Sequence, residues 1–199
     1  MIEQTIIRDA TSNLLGALES RHQITPDLSV LSSVFPRSVI TKINDYILNT
    51  PNKPWQLETT EHGVEMDVPR HKISWHSDTV VEELHCAVEN ITPQVQAILE
   101  KPVKFHGIVL WQDHKNYLCD WHSDNPILMA TMQIYLAGST ENPGTMFKLN
   151  DREHHTCPFV PNTGYLLNQT QNRLLHRSVE KVPDNISRYS LFGMWVTKE

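Results

Sequence analysis

The residues of this chain best suited to chemistry are Asp120-Trp121-His122-Ser123-Asp124, followed 54 residues after His122 by His176 and twelve residues later by Arg188. A His-x-Asp pair plus one distant His is the two-imidazole, one-carboxylate set that holds an Fe(II) ion on one face and leaves the other face open. The open positions admit a co-substrate and dioxygen together. A later arginine is suited to grip the far carboxylate of a dicarboxylate co-substrate bidentately. The four residues predict a non-heme iron oxygenase with such a co-substrate.

These side chains need elements to position them. Alternate side chains of an extended strand share a face, so His122 and Asp124 are expected to project together from one strand end. His176 is then expected from an opposite strand, within Leu174–Val179. From about Pro102 onward the sequence reads as short strands: Phe105–Trp111, Leu128–Leu136, Thr145–Leu149, Gly164–Leu167, Leu174–Val179 and Arg188–Val196. Turn material separates them at Asn125-Pro126, Asn142-Pro143-Gly144, Pro161-Asn162-Thr163-Gly164 and Pro183-Asp184-Asn185. The front half reads as mainly helical. Val39, Ile40, Ile43, Tyr46 and Ile47 recur with helical period behind Pro36, with Ser38 as a cap. Further helices are predicted over 6–20, from Thr79 to about Val88, and from Thr92-Pro93, with Thr92 as N-cap. The expected fold is mainly β with flanking helices, in one domain over 1–199. Its core is a double-stranded β-helix (jelly roll, cupin-like) over 102–197. The mainly helical 1–101 packs on that core, and its Thr59–Asp78 stretch supplies substrate-side loops.

One short repeat competes with the motif, since Trp75-His76-Ser77-Asp78 duplicates Trp121-His122-Ser123-Asp124. The 54-residue step that takes His122 to His176 takes His76 to Ala130, and the residues after Asp78 read as helix. The first copy is therefore expected to be a decoy. Cys119 and His122 with His154 or His155 could be drawn as a zinc site, but structural zinc normally closes with four ligands of this type. Trp111, Tyr117 and Trp121 are candidates to line a substrate mouth, or plain packing.

Composition narrows the classes. Net charge is -6 with no large Lys/Arg cluster, which argues against tight nonspecific nucleic-acid binding. No apolar run approaches membrane-spanning length, and Met1-Ile2-Glu3-Gln4 does not open a secretory signal, so the expected location is the cytoplasm. Three widely spaced cysteines, Cys86, Cys119 and Cys157, do not form a disulfide framework.

The stretch from about Val103 to Val196 resembles the Fe(II)/2-oxoglutarate dioxygenases, and within them is most similar to the prolyl-hydroxylase-like branch. The resemblance rests on His122-Ser123-Asp124-Asn125-Pro126, Gln133-Ile134-Tyr135-Leu136, Gly144-Thr145-Met146-Phe147, Pro161 through Leu167, His176-Arg177 and Arg188 through Trp195, in that order. It implies that His122, Asp124 and His176 ligate Fe(II). It also implies that Arg188 pairs with the distal carboxylate of 2-oxoglutarate, with Tyr135 as a hydroxyl donor to it and Ser190 as a third contact. The implied reaction decarboxylates 2-oxoglutarate to succinate with dioxygen and hydroxylates a C–H bond of a small-molecule or peptidyl substrate. Two alternatives stay open. One is a nucleic-acid demethylase of the alkylation-repair branch, whose pattern Pro69-Arg70-His71-Lys72 partly resembles. That branch usually carries a second Arg in the final strand and an Asn-x-Tyr before the metal strand. Here the final strand has no second Arg, and Val109-Leu110-Trp111 stands in the other place. The second alternative is a non-redox metal-binding jelly-roll module.

Overall fold

A computed structural model describes residues 2–61, 64–138 and 142–198. In chain order it contains α1 (Ile2–Glu19), β1 (His22–Thr25), β2 (Leu28–Ser32), α2 (Arg37–Asn49), β3 (Gln56–Glu61) and β4 (Val64–Ser74). After a 3-10 turn (Trp75–Ser77) come α3 (Thr79–Glu89), α4 (Thr92–Leu99), β5 (Val103–Asp113), β6 (Leu128–Tyr135) and β7 (Thr145–Lys148). The chain ends with β8 (His154–Cys157), β9 (Thr163–Asn168), β10 (His176–Ser178) and β11 (Arg188–Thr197). Eight strands form one sheet in the order β1-β2-β9-β6-β11-β5-β4-β3, and a smaller sheet runs β10-β7-β8. Neighbouring strands are antiparallel.

Period-two alternation divides the large sheet between two jobs. Ala130, Met132 and Ile134 of β6, Ile108 and Leu110 of β5, and Leu191 and Trp195 of β11 join the buried faces of the four helices in one core. The intervening residues face the small sheet. There Tyr135, Tyr165, Leu28 and Leu167 meet Phe147 and Cys157 in a second, smaller core. This two-sheet roll with helices on its outer face is the expected mainly β architecture. Trp195 ties the layers together, because its Nε1 donates to Thr92 Oγ1 at 3.1 Å.

Local details depart from the sequence reading. Four strands, β1 to β4, lie in the front half, whose pattern reads as mainly helical, and they lengthen the large sheet at both edges. The Thr59–Asp78 stretch is therefore largely strand and not loop, although His62 and Gly63 lie outside the described residues. Gln56–Glu61 is too polar to show a buried face, and Pro69 breaks the strand pattern of the sequence, although β4 runs through it without a break. The β3/β4 pairing is irregular between Glu58 and Thr60, opposite that proline's neighbourhood. β8 also escapes the sequence reading, because His154–Cys157 has one buried residue in four. The caps shift too. Pro36, not Ser38, precedes α2, and Ile91, not Thr92, precedes α4, because Thr92 Oγ1 serves Trp195.

The duplicate motif has a structural use. Asp78 is the N-cap of α3, and its Oδ1 accepts from Val80 N at 2.8 Å and Val81 N at 3.3 Å. Trp75 stacks on His85 with ring centroids 3.9 Å apart. Asp78→Ala is therefore expected to cost about 1 kcal/mol of stability in a denaturant titration. It should leave metal stoichiometry unchanged, and a loss of bound metal would contradict the capping role.

Candidate metal centre

The segment after β5 has no strand of its own in either sheet, yet it is zipped along β10 and the residues beyond it. Asn116 N donates to Val182 O at 2.8 Å, Val182 N to Tyr117 O at 3.0 Å and Ser178 N to Cys119 O at 2.9 Å. The zipper ends in a reciprocal pair, with His122 N to His176 O at 3.0 Å and His176 N to His122 O at 2.8 Å. His122 and His176 are thus direct cross-strand neighbours, not residues facing one another across the roll. Arg173 reinforces the next turn by donating to the carbonyls of Asp124 at 3.3 Å and Asn125 at 3.1 Å, and to that of Pro126.

His122, Asp124 and His176 each place a ligand atom within 4.8 Å of the other two. The hydrogen bonds that support this donor set fit it to a divalent metal. His122 Nδ1 lies 2.8 Å from Asp120 O, and His176 Nδ1 lies 3.2 Å from Leu174 O. A carbonyl only accepts, so both rings carry their proton on Nδ1 and present Nε2 as the donor. Asp124 accepts at Oδ2 from Thr131 Oγ1 at 2.7 Å and Gln169 Nε2 at 2.8 Å. Its Oδ1 is turned to within 3.6 Å of His176 Nε2. Asp124 and His176 are buried, while His122 is partly exposed. Such a set holds a hard-to-borderline divalent ion, iron among them, on one side only.

The three residues line a cavity of about 340 Å³ whose lining also includes Arg188, Arg70 and Trp111. Arg188 donates from Nε to Asp113 Oδ2 at 2.7 Å, and Nη2 lies 2.6 Å from the same oxygen. Its Nη1 donates to Pro143 O at 3.2 Å. Burial opposes the Arg188 charge, but Asp113 outweighs it and holds the guanidinium above its ordinary pKa. These partners engage Nε, Nη1 and Nη2, and each terminal nitrogen keeps one further N–H.

The other sequence-based candidates sit differently. Tyr135 is fully buried outside the cavity lining, and its hydroxyl donates to Thr145 Oγ1 at 2.8 Å. Burial pushes its pKa up. Ser190 is also fully buried and accepts from Gln133 Nε2 at 2.9 Å. Tyr165 and Gln133 line the cavity instead, with the Tyr165 hydroxyl donating to Gln133 Oε1. Trp111 and Tyr117 line the cavity, whereas Trp121 lies outside its lining, beneath the Arg177 guanidinium at 4.9 Å. Cys119 Sγ is 3.1 Å from His122 Nδ1, but neither His154 nor His155 joins it in a ligand cluster among the described residues. Sequence reasoning missed Thr131, Gln169 and Arg173. They are common polar residues far from the motif in sequence, so no local pattern marks them.

No helix of the described residues is long and apolar enough to cross a membrane. Asp124→Ala is expected to abolish stoichiometric metal binding in anaerobic titration calorimetry. Thr131→Val or Gln169→Ala should weaken it by roughly 10- to 100-fold, as loss of an outer hydrogen bond to a ligating carboxylate does.

No protein-family model matches the sequence, and no curated relative was found. Solved structures do match. A prolyl-4-hydroxylase from Pseudomonas putida superposes with a TM-score of 0.68 at 12% identity, covering 95% of this chain and 100% of that one. The prolyl hydroxylase of Trichoplax adhaerens, solved with a hypoxia inducible factor peptide, gives 0.64 at 11% identity over 97% and 91% of the two chains. HygX from Streptomyces hygroscopicus, solved with nickel, 2-oxoglutarate and hygromycin B, gives 0.60 at 12% identity over 93% and 86%. With its two-sheet roll and flanking helices the chain has the fold of the 2-oxoglutarate–Fe(II) oxygenases, and it carries a His-Asp-His cluster that could hold a metal ion.

Proposed function

We propose that this protein is an Fe(II)- and 2-oxoglutarate-dependent dioxygenase that hydroxylates a C–H bond of a small-molecule or peptidyl substrate. The observation that carries the reading is that a one-sided His122–Asp124–His176 set and a buried arginine, Arg188, line the same cavity. When bound, iron supplies the redox chemistry by which 2-oxoglutarate and dioxygen give succinate, carbon dioxide and a hydroxylated C–H bond.

The chain's own residues bind, orient and shield. Asp120 O and Leu174 O fix the imidazole tautomers, and Thr131 and Gln169 fix the carboxylate. Arg188 would take the distal carboxylate of 2-oxoglutarate through its fork. Of the two tyrosines near that end, Tyr165 is the better placed to add a polar contact, since it lines the cavity and Tyr135 does not. Trp111, Phe192 and Met194 supply apolar wall. Leu118, Trp121, Ile127 and Leu175 are exposed large apolar side chains within five residues in sequence of His122, Asp124 or His176, which supports a substrate with apolar surface. Among the solved neighbours, one binds a peptide and another hygromycin B, so the fold accommodates both substrate sizes.

A nucleic-acid demethylase would be favoured by a basic groove around Arg70 and Lys72. Both residues do line the cavity, but Arg70 pairs with Asp113 at 2.7 Å and Lys72 pairs with Glu58. Cations matched in this way do not make a phosphate-tracking strip.

The deciding experiment is anaerobic titration of metal-free protein with Fe(II) and then 2-oxoglutarate, read by the weak visible charge-transfer absorption. A band that needs both additions and is absent in His176→Ala supports the reading. Iron bound without any band would favour a metal-binding module without redox turnover. Arg188→Ala should keep its metal and require about tenfold or more 2-oxoglutarate for the same band, the loss expected for a bidentate charged contact.

A further inference from the structure

The carboxylate anchor is part of a charged row that crosses four strands. Glu58 on β3 is opposite Arg70 on β4, and Asp113 on β5 is opposite Arg188 on β11. β4 and β5 are in register from His71↔Gln112, which puts Arg70 beside Asp113. Acid, base, acid and base thus alternate along one line of the sheet. At its centre one carboxylate serves two guanidiniums, since Arg70 Nη2 lies 2.7 Å from Oδ1 and Arg188 holds Oδ2. Asp113 is fully buried, and Arg70 and Arg188 are only 7% and 5% exposed.

Each guanidinium is also held by rings. Arg70 lies 3.9 Å from the Trp111 ring centroid and 4.8 Å from that of Tyr117, and Arg188 lies 5.7 Å from Tyr117. Arg70, Asp113 and Arg188 form one ionic cluster in a place that water barely reaches, and Glu58 continues the row on β3.

We propose that Arg70 and Asp113 are positioning residues for Arg188. The shared carboxylate, clamped from both sides, takes up the lateral donors of Arg188 and so aims its end-on fork at the distal carboxylate of the co-substrate. The anchor is then a preorganised three-residue unit and not a lone arginine. This rests on the 2-oxoglutarate reading above. Geometry and charge make opposite demands at Asp113. If only charge mattered, removing this carboxylate would make the site more positive by one unit and tighten anion binding. If aim matters, the same change weakens it.

The test uses Mn(II)-loaded protein, which does not turn over, titrated calorimetrically with 2-oxoglutarate and with glutarate, which lacks the keto group. Asp113→Asn is expected to lower the affinity for both by about tenfold or more, the cost of misaligning one charge-assisted contact. Mn(II) affinity should stay unchanged. Equal or tighter binding by Asp113→Asn would overturn the proposal. Arg70→Lys carries the test if Asp113→Asn does not fold. Lysine keeps the charge but is a point donor without a planar face for Trp111, so a loss of about fivefold is expected. Full affinity in Arg70→Lys would reduce Arg70 to a charge and refute its positioning role. Failure of the wild-type protein to bind 2-oxoglutarate would overturn the dioxygenase reading itself. Tight binding by the wild type and by both variants would sink this inference alone.

Discussion

Two imidazoles drawn from distant parts of a chain share a metal only if their backbones are locked before their side chains are asked to converge. Here the lock is the reciprocal hydrogen-bond pair between His122 and His176. Each histidine rotates about only two side-chain bonds, so fixing its Cα and tying Nδ1 to a carbonyl leaves Nε2 little room to wander. Much of the smaller end of the roll depends on this pairing. It turns the irregular segment 116–122 into a surrogate strand beside β10, and it carries Asp124 into reach of Thr131 and Gln169. Arg173 then holds the next turn of the chain.

A second constraint is the cost of burying charge. Asp113 and Asp124 are both deep in the protein, and each is held by two partner side chains. Their partners differ in kind. Asp124 is oriented by neutral donors, which leave its negative charge for a cation. Asp113 is clamped by two guanidiniums. Side chains of both polarities, Asp124 on one hand and Arg70 and Arg188 on the other, therefore line one cavity.

Both devices depend on the division of labour in the large sheet. One face is committed to the helices through Ile108, Leu110, Met132, Ile134 and Trp195, so the strands carrying Arg188, Asp113 and Arg70 cannot slip. A slip by one residue would turn the charged row into the helical core. The apolar face therefore holds the register that keeps the polar face in order.

The local sequence marked His122, Asp124 and His176 as a cluster that the fold brings together, the strand-rich back half, and the helix that follows Asp78. Each of those signals is short-range: fixed spacing, alternation, or an apolar stripe at helical period. Only the tertiary structure decided that His122 and His176 are cross-strand neighbours. It also decided that Tyr135 gives its hydroxyl to Thr145 while Tyr165 reaches the cavity, and that Arg70 shares Asp113 with Arg188. The polar strands β3 and β4 were illegible for a different reason. β3 pairs only with its sequence neighbour β4 and has no buried apolar stripe, since Gln56, Leu57 and Thr59 are exposed, so no alternation marks it.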